Sequence, residues 1–237
     1  MRLHWSPDSA NLVVRIALER FGMAYEPVRV DRARGAQRSP AYLALNPQGL
    51  IPVLEDGGFV LFETGAILLH LAERAGRFGP SGPAADDPAA RAAALRWLFY
   101  LSNTVHADLR AAFYAHRYIA AGREADLVAG LRTRLAGHCA MLEGQLAAGP
   151  LVPGGAAGTT GIVEDYLAVC LRWAQIYPSR HGPLLEGLGR WPGLAAEMAR
   201  IEADPGFLRA CAAEAIPCPH PVTRPAPPAL PAAEVTG

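Results

Sequence analysis

The chain has 237 residues, 51% of them apolar and 19% charged, a globular composition with enough length for one large domain or two smaller ones. Basic and acidic residues number 22 each, so no net charge marks the protein as a partner of nucleic acid or of an anionic membrane. Alanine is used heavily after residue 84, which favours a helical second half.

In chain order, residues 2–5 predict a short strand. A helix follows, in which Val13, Ile16, Ala17 and Phe21 recur at helical spacing and Gly22 sits as the C-cap. Residues 25–30 alternate as a second strand, expected parallel to the first across a right-handed crossover. A polar stretch around residues 32–38 leads into a short helix over 39–45. Two apolar runs flank Asp56-Gly57-Gly58 and read as an antiparallel hairpin. Glu63-Thr64 then opens an amphipathic helix that ends near Gly76.

The order βαβ-α-ββα assigns residues 1–76 to an α/β, thioredoxin-like domain. Residues 77–87 are rich in Gly, Pro and Ala and read as a linker, ending on Asp87-Pro88 as N-cap and first helical residue. Residues 88–215 read as an all-helical domain, interrupted at 149–160 and around 177–183. The last stretch, 216–237, carries repeated prolines without an apolar period and reads as an extended or disordered tail. The four cysteines, Cys139, Cys170, Cys211 and Cys218, form no CxxC pair and no zinc-ligand spacing, which argues against a metal site and a disulfide framework. With no apolar leader and no window of transmembrane length, the expectation is a cytoplasmic chain that does not enter a membrane.

Two segments carry chemistry. In Asn46-Pro47-Gln48-Gly49-Leu50-Ile51-Pro52-Val53-Leu54, a proline opens a sheet strand although it has no N–H for the ladder. A cis Ile51-Pro52 bond would turn the preceding backbone outward and let a peptide-like ligand add as a short strand; an ordinary trans turn is the alternative. One hairpin later stand Phe62-Glu63-Thr64-Gly65, a carboxylate and a hydroxyl at a helix N-terminus. That pair is either a plain cap or a receptor for an α-ammonium (Glu63) and an α-carboxylate (Thr64 and the helix N–H groups).

The order and spacing of these segments, after a βα start and before a helical half, resemble the glutathione site of cytosolic glutathione transferases. The resemblance extends to Trp191-Pro192-Gly193-Leu194 and Asp204-Pro205-Gly206-Phe207, and covers roughly residues 1–212. It implies that Ile51 pairs its backbone with the cysteinyl part of glutathione, that Pro52 is the cis proline, and that Glu63 and Thr64 hold the γ-glutamyl end. Arg34 or Arg38 would meet the glycine carboxylate. The family keeps its thiol-activating residue between the first strand and the first helix, where this chain has Ser6-Pro7-Asp8-Ser9-Ala10-Asn11. Ser9 is the leading candidate and Asn11 a second donor.

Bacterial beta-class members open very similarly but carry a cysteine where this chain has Ala10, a departure that argues against mixed-disulfide chemistry. The same likeness places Asn103, His106, Arg110 and Phe113 or Tyr114 on one helical face, lining a second-substrate pocket. A further departure is Ile162, three residues before Asp165, where the family usually has the Ser or Thr of a capping box. What the resemblance implies is a homodimeric transferase that joins glutathione thiolate to a small electrophile. A non-catalytic binder of glutathione or protein, or a glutathione-dependent isomerase or lyase, are the alternatives.

Overall fold

The computed structural model describes residues 1–76, 88–153, 161–178 and 180–216. The expected linker, the tail beyond residue 216 and Cys218 lie outside the described residues.

Strand β1 (Arg2–Trp5), helix α1 (Asn11–Phe21) and strand β2 (Glu26–Arg29) form the first unit. After two 3-10 turns, Arg32–Arg34 and Ala36–Arg38, come α2 (Pro40–Leu45), β3 (Val53–Asp56), β4 (Phe59–Phe62) and α3 (Thr64–Ala75). The sheet runs β2-β1-β3-β4, with β1 parallel to β2 and antiparallel to β3. These elements match the expected order. Gly22 closes α1 in the left-handed conformation at φ 64°, and Ser39 caps α2 by accepting from the Tyr42 N–H at 3.2 Å.

The helical part comprises α4 (Pro88–Tyr100), a π-helical segment Leu101–Val105, α5 (His106–Phe113), α6 (Glu124–Ala148), α7 (Ile162–Ile176), α8 (Pro192–Glu202) and α9 (Pro205–Ala213). No described helix is long and apolar enough to cross a membrane.

Every residue of α1 from Asn11 to Leu18 is buried, the polar Asn11 and Arg15 included. A helix buried this completely must be covered on all sides. The sheet and α3 cover one side of α1, and α7 and α9 cover the other, so a continuous hydrophobic core joins the sheet to the helical part. The fit against α9 is tight enough to require glycine at Gly206, whose Cβ would stand 2.8 Å from the Arg20 Cα.

Arg20, at the end of α1, makes two hydrogen bonds to the fully buried Asp165 of α7, at 2.9 and 2.6 Å, and meets Asp204 at 2.6 Å. Asp165 therefore pairs across to α1 and does not cap its own helix. The turn begins one residue earlier, with Gly161 as the N-cap residue, so Glu164 takes the capping position and accepts from the Gly161 N–H at 3.0 Å. Asp165 is left to face α1.

Candidate functional site

A cavity of about 440 Å³ lies where the carboxyl ends of β1 and β2 meet the π-helical segment, α5 and α7. Its sheet side is lined by Ser9, Gln37, Arg38, Ile51, Pro52, Glu63 and Thr64; its helical side by Ser102, His106, Arg110, Phe113, Tyr114, Trp173 and Tyr177. Segments more than 100 residues apart in sequence thus share one wall.

The turn before β3 is built by side chains beneath it. Tyr42 O–H and the Asn46 amide both donate to the Leu50 carbonyl, at 2.8 and 2.9 Å, which fixes the peptide before Ile51. The Ile51–Pro52 bond is cis, and Ile51 makes no backbone hydrogen bond among the described residues. An extended ligand can therefore pair there as an added strand. Gly49 has φ 64°, and a Cβ there would come within 2.9 Å of the Gln37 carbonyl oxygen, so the turn and the 3-10 segment approach through glycine.

Glu63 immediately precedes α3 and adopts φ 72°, unusual for a residue with a Cβ. Its carboxylate is exposed and accepts from the Gln48 amide at 3.1 Å. Thr64 is buried as the first residue of α3, whose N-terminal N–H groups lack helical acceptors. Together they set a carboxylate acceptor beside helix N–H donors.

The loop between β1 and α1 departs from expectation in part. Ser9 is half-buried on the cavity wall and is not a helix cap: the N-cap is Ala10, and only the Ser9 carbonyl takes a helical bond, from Leu12 N–H at 2.9 Å. Its hydroxyl donates to the Asn11 Oδ1 at 2.5 Å. Asn11 is fully buried, does not line the cavity, and turns its NH₂ to Glu214, so it is not the second donor that the sequence suggested.

Two more residues fall elsewhere. Arg34 is 88% exposed, pairs with Asp31 at 3.5 Å and does not line the cavity. Arg32 and Arg38 do, because a 3-10 turn sends successive side chains to different sides. Asn103 is exposed and accepts from Ser102 at 3.1 Å. The expected face assumed regular helical spacing, but the π-helical segment adds a residue per turn, and Ser102 faces the cavity in its place. His106, Arg110, Phe113 and Tyr114 do line it.

Sequence reasoning missed Gln37, which is buried on the wall with its Oε1 unpartnered among the described residues, and the aromatic pair Trp173 and Tyr177. Nothing local in the sequence distinguishes these residues. Four arginines and two carboxylates, Asp8 and Glu63, line the cavity, and Asp8 is already held by Arg172 at 2.6 Å. The balance suits an anionic ligand.

His106 Nδ1 lies 2.7 Å from the Tyr166 hydroxyl, and its ring tilts against Trp173. Burial, and to a lesser degree Arg110, pulls its pKa down to about 4, while burial pushes Tyr166 well up. Both groups are neutral at pH 7, so one carries a proton for the bond between them. The folded-state value lies below the 6.5 of the free side chain, so the unfolded chain takes up the proton first as pH falls. This residue should therefore cost nothing above pH 6.5 and progressively destabilise the fold down to about pH 4, by about 3 kcal/mol. Unfolding free energies of wild type and His106→Gln, compared across that range, should diverge by this amount; a constant difference would contradict it.

The described cysteines stand apart from the cavity. Cys139, Cys170 and Cys211 are buried, and burial pushes the Cys139 thiol up to about 12 and Cys170 further. Neither Cys139 nor Cys170 is poised as a thiolate nucleophile.

Residues 2–73 match the family described as the glutathione S-transferase N-terminal domain. A glutathione S-transferase of Xanthomonas campestris is 30% identical over 223 residues, spanning 91% of this chain and 100% of that protein. This chain belongs to the glutathione S-transferase family. Its match to glutathione S-transferase F10 of Arabidopsis thaliana is stronger in identity, 45%, but spans only 27% of this chain and 30% of that one. Among solved structures, a sphingomonad glutathione S-transferase complexed with glutathione superposes with a TM-score of 0.72 at 26% identity, over 92% of this chain and 100% of that chain.

Proposed function

We propose that this protein is a glutathione transferase that adds glutathione thiolate to a small electrophile, by substitution or by conjugate addition. The observation that carries the reading is a cavity in which a strand-pairing edge at Ile51, the Glu63 carboxylate beside Thr64, and a hydroxyl at a helix N-terminus converge. Residues 1–76 serve as the glutathione-binding domain and 88–215 as the domain that supplies the acceptor pocket.

In this reading Ile51 pairs with the cysteinyl backbone, Pro52 shapes that turn, Glu63 accepts from the γ-glutamyl ammonium, and Thr64 with α3 holds its carboxylate. Arg38, with Gln37 and Arg32 beside it, receives the glycine carboxylate. The cysteinyl sulfur then falls near Ser9 and the first turn of α1. Helix N–H groups and a hydroxyl there favour the thiolate over the thiol, and each tenfold gain in thiolate takes about 1.4 kcal/mol. As the carbon–sulfur bond forms, the displaced electron pair leaves with the departing group or moves into the acceptor and is protonated. Phe113, Tyr114, Trp173 and Tyr177 offer an apolar, largely aromatic seat for that acceptor, with Arg110 and Arg117 beside it. We place the protein in the cytoplasm as a two-fold dimer.

One observation favours a second reading, a non-catalytic glutathione binder: the Ser9 hydroxyl already donates to Asn11 and must rotate to serve a thiolate. Ser9→Ala separates the two. As a transferase, the variant should stay bound to immobilised glutathione yet lose at least about tenfold in kcat/KM with a generic aryl halide, the size of one lost donor. Retention by wild type without turnover of any such acceptor would favour the binder.

A further inference from the structure

Beneath the loop that presents Ser9 lies a carboxylate from the opposite end of the chain. Glu214, just after α9, is buried, and its Oε1 accepts from the Asn11 amide at 2.5 Å and from Arg15 Nε at 2.8 Å. Its Oε2 accepts from the Asp8 backbone N–H at 3.0 Å. Three donors between Asp8 and Arg15 therefore converge on one side chain.

The consequence reaches Ser9 through Asn11. Oε1 already accepts from Arg15 Nε, so the Asn11 group that faces it is the NH₂. Oδ1 then faces the other way, where it accepts from the Ser6 N–H at 2.9 Å and from the Ser9 hydroxyl. The Ser6 N–H on one side and Glu214 on the other together fix which end of the Asn11 amide meets Ser9. A second tether works on the same loop: Arg172 of α7 holds the Asp8 carboxylate at 3.1 and 2.6 Å. Asp8 needs holding, since its φ of 48° is a conformation that a residue with a Cβ rarely adopts unaided.

We infer that Glu214 is a positioning residue for thiol activation, setting Ser9 from the helical part of the molecule through Asn11 and the Asp8 backbone. The inference rests on the transferase reading above, in which Ser9 faces the sulfur. It assigns a role to a residue that lines no part of the cavity.

The test uses the full chain with Glu214→Ala and the near-isosteric Glu214→Gln, which keeps one acceptor oxygen and the side-chain volume. Three quantities are measured: kcat and KM for glutathione, and the pKa of the bound thiol from the ultraviolet absorbance of the thiolate. Glu214→Ala should leave KM within about threefold, because Ile51, Glu63 and Thr64 are untouched. It should lower kcat about tenfold and raise the bound thiol pKa by about one unit, the same factor seen in two ways. Glu214→Gln should fall between wild type and Ala, and it carries the test alone if the alanine variant does not fold. Unchanged kcat and thiol pKa in a folded variant would overturn the proposal, as would a loss confined to KM. Loss of turnover in Ser9→Ala but not in the Glu214 variants sinks only this inference, whereas unimpaired Ser9→Ala sinks the reading beneath it.

Discussion

Asp165→Ala is expected to destabilise the fold by about 3 kcal/mol, measured as a shift in urea midpoint at constant slope. Asp165 has no exposed side-chain area, and its carboxylate accepts twice from Arg20, whose own side chain is 9% exposed. Removing the carboxylate strands a buried guanidinium, and breaking such a pair from one side costs about 3–5 kcal/mol. The lower end applies because Asp204 still meets Arg20 at 2.6 Å. Replacing both partners, as Arg20→Leu with Asp165→Leu, should recover most of the loss, since no buried charge is then left unpaired. A loss below about 1 kcal/mol in the single variant would show that the pair contributes little across the α1–α7 contact.

Glu63 should show the largest binding effect, and two substitutions there separate charge from backbone. Glu63→Ala removes the acceptor for the γ-glutamyl ammonium, a charge-assisted contact of about 1.5–3 kcal/mol, and should weaken glutathione binding about 10- to 150-fold by calorimetry. Stability should barely change, because alanine inherits the same φ of 72°. Glu63→Gly should bind as poorly but unfold at higher denaturant, gaining about 1 kcal/mol. Relief of about 1–3 kcal/mol of strain there exceeds glycine's extra chain entropy of about 0.5–1 kcal/mol. Equal stability of the two variants would show that the turn is not strained; undiminished binding would remove Glu63 from the site.

Much of the sheet half was legible because its signals are local. Alternation marked β2, Asp56-Gly57-Gly58 marked the hairpin, and Gly22 marked a helix end, all from a few adjacent residues. The same locality exposed the turn before Pro52 and the pair Glu63-Thr64, whose roles depend on backbone that neighbouring residues shape. Less was legible where neighbours in space are distant in sequence. Asn11 looked like a donor toward the cavity, but its orientation answers to Glu214, 203 residues away. Asn103 and Ser102 exchanged places because the π-helical segment between α4 and α5 shifts the face by one residue. Arg34 and Arg32 differ only in which side of a short 3-10 turn they leave from.

By itself, then, the sequence determined the order of strands and helices and the two motifs that make a ligand edge, since hydrophobic period and turn chemistry act over a handful of residues. The tertiary structure decided which polar side chains reach the cavity and which are spent underneath it. A buried carboxylate or amide must find partners wherever packing puts them, and Glu214, Arg172 and Asp165 find theirs in the loop and helix at the start of the chain.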